Sequence, residues 1–504
     1  MLDGILAALS PLALFFSLFG VVLGIIIGAI PGLTATFGIA ILIPVTYLME
    51  PVYGMIMLAG IYAGAIYGGS ISAILINIPG TPASIVTGWE GYPMAKAGRA
   101  PFALGLSAFS SGAGGLFSAM TMLFLTPILA QLALRFGAPE NVALVLFSLV
   151  IVVVMLDTPV LANVPGVFIG LILAAIGIDP VQGSPRFTFD FYQLYAGLNV
   201  VAVLVGFFCL PQAIVLAAQS ISGAPGAQIG HVGASKPAEI LAAMVRNKWN
   251  VLRSSIIGTG LGILPAVGPE STPLVAHTLE RRISKNPERF GKGSEEGLIA
   301  AETSVSANVG GSLIPLLSLG IPGSGAAAVF IGALTLHGLQ PGPLLFTSRP
   351  DIMFTFFAGF IVVNIMMMVI GLYGARHLAG LLRVSTALIA TFVAFFSIFG
   401  AFAVNGSLFD VWVLFGAAAL AMIFATVGIP ILPVVLAFIL GGVLERNLGI
   451  AVARAEDIGY FLGRPIAVGL MLITLAIIAA AVWRRVVASP SDDKKPSSSS
   501  SLVE

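Results

Sequence analysis

The chain has 504 residues, 58% of them hydrophobic and 9% charged, with a formal net charge of +1 and a mean hydropathy of +1.06. That composition excludes a soluble multidomain enzyme and gives no electrostatic reason to expect a nucleic-acid partner. A single cysteine, Cys209, excludes an intrachain disulfide.

Taken in chain order, apolar runs predict membrane segments near 9–30, 35–49, 52–78, 102–134, 141–156, 160–178, 194–217, 251–268, 298–320, 325–337, 352–373, 385–404, 411–427, 430–444 and 465–483. About 20 residues are needed to cross roughly 30 Å of hydrocarbon, so 35–49, 325–337 and 430–444 read as half-helices or hairpin arms. The expected fold is an all-α polytopic membrane protein with about 11–14 segments, including broken helices or re-entrant hairpins. The first 30 residues carry no basic n-region and run into a long helix, so a cleaved signal peptide is not expected. Cys209 lies inside the apolar run Val200–Leu210 and reads as small core filler.

Residues 1–217 form a first transmembrane half, 218–250 a polar linker marked by Ser-Gly-Ala-Pro-Gly at 222–226, 251–484 a second half, and 485–504 a tail. The tail, with its serine run, has a disordered composition. Basic residues gather at Lys96 and Arg99, in 236–253, in 281–292, at Arg376 and Arg383, and at Arg484 and Arg485, which assigns those ends to the cytoplasm. The connections at Asp3, Glu50, Asp157 and Asp410 carry acid and no base, which suits the outside.

Two stretches nearly repeat each other: Gly68-Gly69-Ser70 through Ile78-Pro79-Gly80, and Gly310-Gly311-Ser312 through Ile321-Pro322-Gly323. From Gly-Gly-Ser to Pro-Gly the second copy is longer by a single position. Each half also opens on an interrupted helix, Gly28 to Thr36 with Pro31, and then Gly262 to Thr272 with Pro265. The second half runs further from this first break to its Gly-Gly-Ser, and the charged connection 279–296 accounts for the insertion. Gly and Pro inside a helix cost roughly 1 and 3 kcal/mol. Matched interruptions in two halves point to a transporter's binding site, with inverted repeats as the expected arrangement.

A helix starting after such a break directs unpaired N–H groups and partial positive charge into the protein, which suits an anion. Candidate substrate ligands are Thr34, Thr36, Gly80, Thr81, Ser84, Ser271, Thr272, Gly323 and Ser324, with Asn77 and Asn308 as orienting amides. Carbonyls freed on the other side of the break suit sodium, which places a cation neighbourhood at Pro31, Gly32, Pro265 and Glu270. A lone Gly-Gly-Ser or Ile-Pro-Gly is more often a packing feature than a site. Recurrence as two pairs reverses that balance. Glu302 reads either as a functional intramembrane acid or as a cap near the start of its helix. His277, His337 and His377 are isolated in sequence and give little reason to expect pH sensing.

The chain contains no G-x-x-x-x-G-K-[ST] loop, no H-E-x-x-H and no Cys/His metal spacing, which disfavours a direct ATP-driven pump. An anion channel could use the same helix ends but would need a continuous pore. An intramembrane enzyme would need an interfacial cluster, for which only Asp179, Arg186 and Asp190 are visible.

The run from Leu58-Ala59-Gly60 through Gly68-Gly69-Ser70 and Asn77-Ile78-Pro79-Gly80-Thr81-Pro82-Ala83-Ser84 to Gly91-Tyr92-Pro93 and Gly98-Arg99-Ala100 resembles the large membrane subunit of the tripartite tricarboxylate transporter family. Gly177-Ile178-Asp179-Pro180, Asn286-Pro287-Glu288-Arg289-Phe290 and Ile314-Pro315-Leu316-Leu317 through Ile321-Pro322-Gly323-Ser324 extend the resemblance over nearly the whole chain outside the tail. The resemblance implies a secondary transporter, not an enzyme, in the bacterial cytoplasmic membrane. It implies a small membrane subunit, a periplasmic binding protein that delivers a carboxylate, and sodium or proton coupling without ATP or an organic cofactor. Two positions depart from the family pattern: Pro265-Ala266 replaces Pro-Gly, and Val305-Ser306 replaces two asparagines after the acid Glu302. Both departures fall at the candidate site and argue against citrate itself as the substrate.

Overall fold

The computed structural model describes residues 2–156, 158–221, 236–265, 267–378, 386–454, 460 and 463–487. The expectations placed on Asp157, on 222–235 of the linker, on Ala266, on Arg383 and on 488–504 of the tail lie outside the described residues, as do the side chains of Asp3, Arg376, His377, Arg484 and Arg485.

The first half opens with α1 (Leu2–Ala8) and α2 (Pro11–Ala29), breaks, and resumes as α3 (Ala35–Thr46) and α4 (Pro51–Ile76). After a second break come a short turn (Pro82–Ser84), α5 (Ile85–Met94), α6 (Ala100–Ala133), α7 (Ala138–Met155) and α8 (Val160–Ala174). A two-residue hairpin, Gly177–Ile178 with Pro185–Arg186, precedes α9 (Val200–Phe208) and α10 (Leu210–Ile221). In the second half α11 (Pro237–Arg246) and α12 (Lys248–Ile263) lead to a third break, then α13 (Thr272–Ile283), α14 (Glu295–Leu319), a fourth break and α15 (Gly325–Leu336). The chain continues as α16 (Leu344–Ser348), α17 (Pro350–Leu378), α18 (Thr386–Asn405), α19 (Leu408–Val427), α20 (Ile431–Arg454) and α21 (Pro465–Val487).

Among the described residues nine helical stretches are long and apolar enough to cross a membrane, and Ala35–Thr46, Val160–Ala174, Gly325–Leu336 and Pro465–Ala481 are shorter apolar helices. The chain is therefore an all-α, multi-pass membrane protein. The predicted half-helices at 35–49 and 325–337 are the 12-residue α3 and α15. The third, 430–444, is corrected: α20 runs 24 residues and is a full span. Glu445 and Arg446 end the apolar run in sequence but not the helix, because both are good helix formers; Glu445 pairs with Arg186 of the hairpin.

The core is set by close helix approach. A Cβ on Gly24 or Gly28 of α2 would stand 2.5 or 2.0 Å from the carbonyl oxygen of Ile61 or Ala65 on α4. In the second half, a Cβ on Gly258 or Gly262 of α12 would stand 2.2 or 2.7 Å from the carbonyl oxygen of Ser304 or Asn308 on α14. These contacts fix which positions are equivalent in the two halves. On α2 and α12, Gly24 corresponds to Gly258 and Gly28 to Gly262; on α4 and α14, Ile61 corresponds to Ser304 and Ala65 to Asn308. In that register the Gly-Gly-Ser elements are offset by one position, because Gly69 corresponds to Ser312 and not to Gly311.

Helices α4 and α14 lie side by side and antiparallel, with Tyr62 meeting Ser312 and Ser70 meeting Glu302. Their ends carry reciprocal contacts. Helix α5 and the segment after it meet the loop before α14 and the start of α14, through Glu90 with Gly291 and Arg99 with Glu295. The end of α3 meets the end of α15 through Thr46 and His337, 3.2 Å apart.

Candidate functional site

Both long inner helices end in the left-handed conformation, α4 at Asn77 (φ 56°) and α14 at Gly320 (φ 75°). That turn aims the following Pro-Gly back at the helix it left. The N–H of Gly80 donates to the carbonyl of Gly69 at 3.2 Å, and the N–H of Gly323 donates to the carbonyl of Ser312 at 3.3 Å. A Cβ on Gly80 would lie 2.1 Å from the carbonyl oxygen of Gly28, and one on Gly323 would lie 2.3 Å from that of Gly262. Each tip therefore presses backbone on backbone against the end of the broken helix in its own half, and only glycine fits there.

The first break meets the fourth. Thr34 caps α3 by accepting from the N–H of Phe37 at 3.2 Å, while Thr36 approaches the backbone of Gly325. Ser324 caps α15 by accepting from the N–H of Ala327 at 3.1 Å. Gly32 adopts φ 91° and is approached by the amide of Gln212 on α10, a neighbour that sequence spacing does not reveal. Pro31 beside it is half-buried.

The third break packs against the second through α13 and the turn Pro82–Ser84. Asn308 of α14 organises it: its Nδ2 donates to the carbonyl of Val267 at 3.0 Å and to Oγ1 of Thr272 at 2.8 Å. Thr272 in turn donates to the carbonyl of Gly268 at 3.1 Å. Oδ1 of Asn308 and Oγ1 of Thr81 are buried without a hydrogen-bond partner. Ser84 donates to the carbonyl of Thr81 at 2.8 Å. Ser271 precedes α13 without capping it by its side chain. Pro265 is buried, Glu270 is exposed with its carboxylate folded over Gly268, and Asn77 is exposed at the second tip.

One side chain that meets the fourth break escapes sequence reasoning altogether. Tyr62, fully buried in α4, places its hydroxyl 2.8 Å from Oγ of Ser324 and 3.2 Å from Oγ of Ser312, joining the first half to the fourth break. In the register that pairs Ile61 with Ser304, its counterpart in α14 is Val305. Ser324's counterpart is Thr81, whose hydroxyl is unpartnered where Ser324 has Tyr62.

Glu302 is fully buried and lies two turns inside α14, so the capping reading is corrected. Ser294 caps α14 instead, accepting from the N–H of Gly297 at 3.2 Å. His277, isolated in sequence, pairs with the buried Glu90 of α5 at 2.7 Å. Glu90 also accepts from the N–H groups of Gly291, Gly293 and Ser294 at 2.7, 3.1 and 2.7 Å, clamping the loop before α14 onto α5. The enzyme candidates close a turn. Asp179 accepts from the N–H groups of Gln182 and Val181, which hold its carboxyl below the ordinary range, and it stands 3.5 Å from Arg186. Asp190 adopts φ 62° in the same connection. Among the described residues no group of three His, Cys, Asp or Glu side chains is placed to hold a metal ion. Behind the fourth break a cavity of ≈ 630 Å³ is lined by Gly320, Ile321, Asn141, Thr335, Arg446 and Asn447, among others.

The chain is 33% identical over 491 residues, covering 95% of both chains, to an uncharacterized 52.8 kDa protein in the TAR-I ttuC′ 3′ region of Agrobacterium vitis. It is 30% identical over 226 residues to an uncharacterized protein in the TAR-II ttuC′ 3′ region of the same organism, covering 45% of this chain and 93% of that one. No solved structure matches. Residues 14–436 match the family described as the Tripartite tricarboxylate transporter TctA family, and the chain belongs to that family.

Proposed function

We propose that this chain is the large membrane subunit of a secondary carboxylate importer in the bacterial cytoplasmic membrane. A periplasmic binding protein delivers the carboxylate, a small membrane subunit completes the scaffold, and a sodium gradient drives uptake. One observation carries the reading: two Pro-Gly tips, in different halves, make the same backbone contacts at Gly80 and Gly323. Two equivalent helix starts facing the protein interior offer an anion N–H groups and partial positive charge. Hydroxyls of Thr34, Thr36, Thr81, Ser84, Ser271, Thr272 and Ser324, with the amides Asn77 and Asn308, complete the candidate set. Sodium is assigned to the carbonyls around Pro31, Gly32, Pro265 and Glu270.

The antiparallel pairing of α4 with α14 and the reciprocal end contacts support inverted repeats. The equivalent tips also differ in exposure: Ile78 is 49% exposed and Ile321 only 3%. Such unequal exposure of equivalent parts supports an elevator-like alternation between two sides. Arg99, Arg246, Arg289 and Lys292, from three separate basic runs, line one cleft, which supports that end as the cytoplasmic one.

The test is uptake into vesicles holding this chain, its small subunit and the matching binding protein. A saturable carboxylate uptake that rises with an imposed inward sodium gradient is expected. Full uptake in sodium-free buffer under a proton gradient overturns the sodium assignment, and non-saturable flux independent of any gradient overturns the transporter reading in favour of a channel.

A further inference from the structure

The carboxylate of Glu302 sits in a pocket that the paired breaks do not explain. It is fully buried on α14 and forms no ion pair among the described residues. Its partners are hydroxyls. Ser111 of α6 donates to Oε2 at 2.7 Å, and Thr87 of α5 donates to Oε1. Ser70 of α4 and Ser107 of α6 turn buried hydroxyls toward the same carboxylate at the margin of hydrogen-bond geometry, and neither makes a well-formed hydrogen bond there or elsewhere. An uncompensated charge so placed costs several kcal/mol, and an unmade hydrogen bond on each of two buried hydroxyls adds to that. A buried polar network left partly satisfied in this way calls for a further polar partner, an ordered water or a bound ion.

We propose that Glu302, Thr87, Ser111, Ser70 and Ser107 form a binding site for a hard monovalent cation, sodium, separate from the carbonyls at the helix breaks. The set is all oxygen and carries one negative charge, which matches a small hard cation and rejects softer metals. Each hydroxyl keeps lone pairs for the ion while its proton turns to the carboxylate or to a neighbouring carbonyl. Repetition does not account for the site, because the first-half counterpart of Glu302, in the register that pairs Ile61 with Ser304, is Ala59.

The site joins both halves and neighbours the second tip along the chain at two points. Thr87 stands on α5, the arm that follows that tip, and Ser70 is next to Gly69, whose carbonyl holds the N–H of Gly80. Ion occupancy would therefore fix the tip in its substrate-ready position. This role rests on the transporter reading; the binding itself does not.

Equilibrium binding of radioactive sodium to the purified chain, without carboxylate, tests it apart from transport. Glu302→Gln is expected to lose one bound sodium per chain. Ser70→Ala and Ser107→Ala are expected to weaken that ion by at least about tenfold with little change of thermal stability in choline buffer, because each hydroxyl has only a marginal contact with the carboxylate to lose. Asn308→Ala, which disturbs only the third break, should leave this ion in place. Equal sodium stoichiometry in wild type and Glu302→Gln overturns the proposal, as does unchanged affinity in both serine variants or stabilisation by pH and not by sodium.

Discussion

Gly80→Ala and Gly323→Ala are each expected to reduce carboxylate uptake by at least about 100-fold, the loss that a displacement of about 1 Å at a binding site can cause. A single methyl suffices because the atom it meets is backbone: the carbonyl oxygen of Gly28 at 2.1 Å, or of Gly262 at 2.3 Å. Neither carbonyl can turn aside without unwinding the end of α2 or α12, so the tip itself must move. The strain is about 1–3 kcal/mol, enough to displace a tip but not to unfold a chain with so large a buried core. Gly260→Ala is the control, since a Cβ there meets nothing within 4 Å. Initial uptake rates at matched amounts of monodisperse protein make the measurement. Near-normal rates in both tip variants contradict the paired-site account.

The second large effect concerns selectivity. Val305 and Ser306 are buried on α14, and the hydroxyl of Ser306 has no partner. Val305 takes the place that Tyr62 holds in the other half, and Thr81 accordingly lacks the hydroxyl contact that Ser324 enjoys. An apolar wall beside the second tip discriminates weakly against substrates with few polar groups. A wall that offers amides rejects them strongly. The chain should therefore prefer a mono- or dicarboxylate with an apolar body over citrate. The double variant Val305→Asn, Ser306→Asn should shift the ratio of uptake efficiencies towards hydroxylated or more highly charged carboxylates by about tenfold or more. A substrate panel that ranks identically for the two active proteins shows that these positions do not read the substrate.

Much of this architecture is legible in the sequence because the repeat is written in glycine and proline, whose backbone consequences are local. The four breaks, the short helices α3 and α15, and the polytopic class follow from that punctuation and from hydropathy. Register does not follow. Matching the Gly-Gly-Ser letters pairs Gly69 with Gly311, whereas the two tips bond to Gly69 and Ser312. Both of those residues tolerate the same backbone approach, so similarity of letters misplaces them by one. Helix α5 is hidden because Gly88, Gly91 and Pro93 dilute its apolar pattern and Glu90 interrupts it. Glu90 itself is explained by His277 and by the loop at Gly291–Ser294, both in the other half of the chain. Tyr62 carries no signal in an apolar run, since its partners Ser312 and Ser324 also belong to the other half. Glu302 resembles a cap because the helix start at Glu295 lies inside a charged stretch, where hydropathy marks no boundary.

Alternating exposure of equivalent tips is the central claim, and cysteine accessibility at Ile78 and Ile321 tests it most directly. The natural chain holds one cysteine, the buried Cys209, so a Cys209→Ala background reports only the introduced thiol. Ile78→Cys and Ile321→Cys are each reacted with a membrane-impermeant maleimide, with and without sodium and carboxylate. The account predicts that ligand conditions which speed reaction at one position slow it at the other. Rates that move together at both positions, or that ignore the ligands, contradict it.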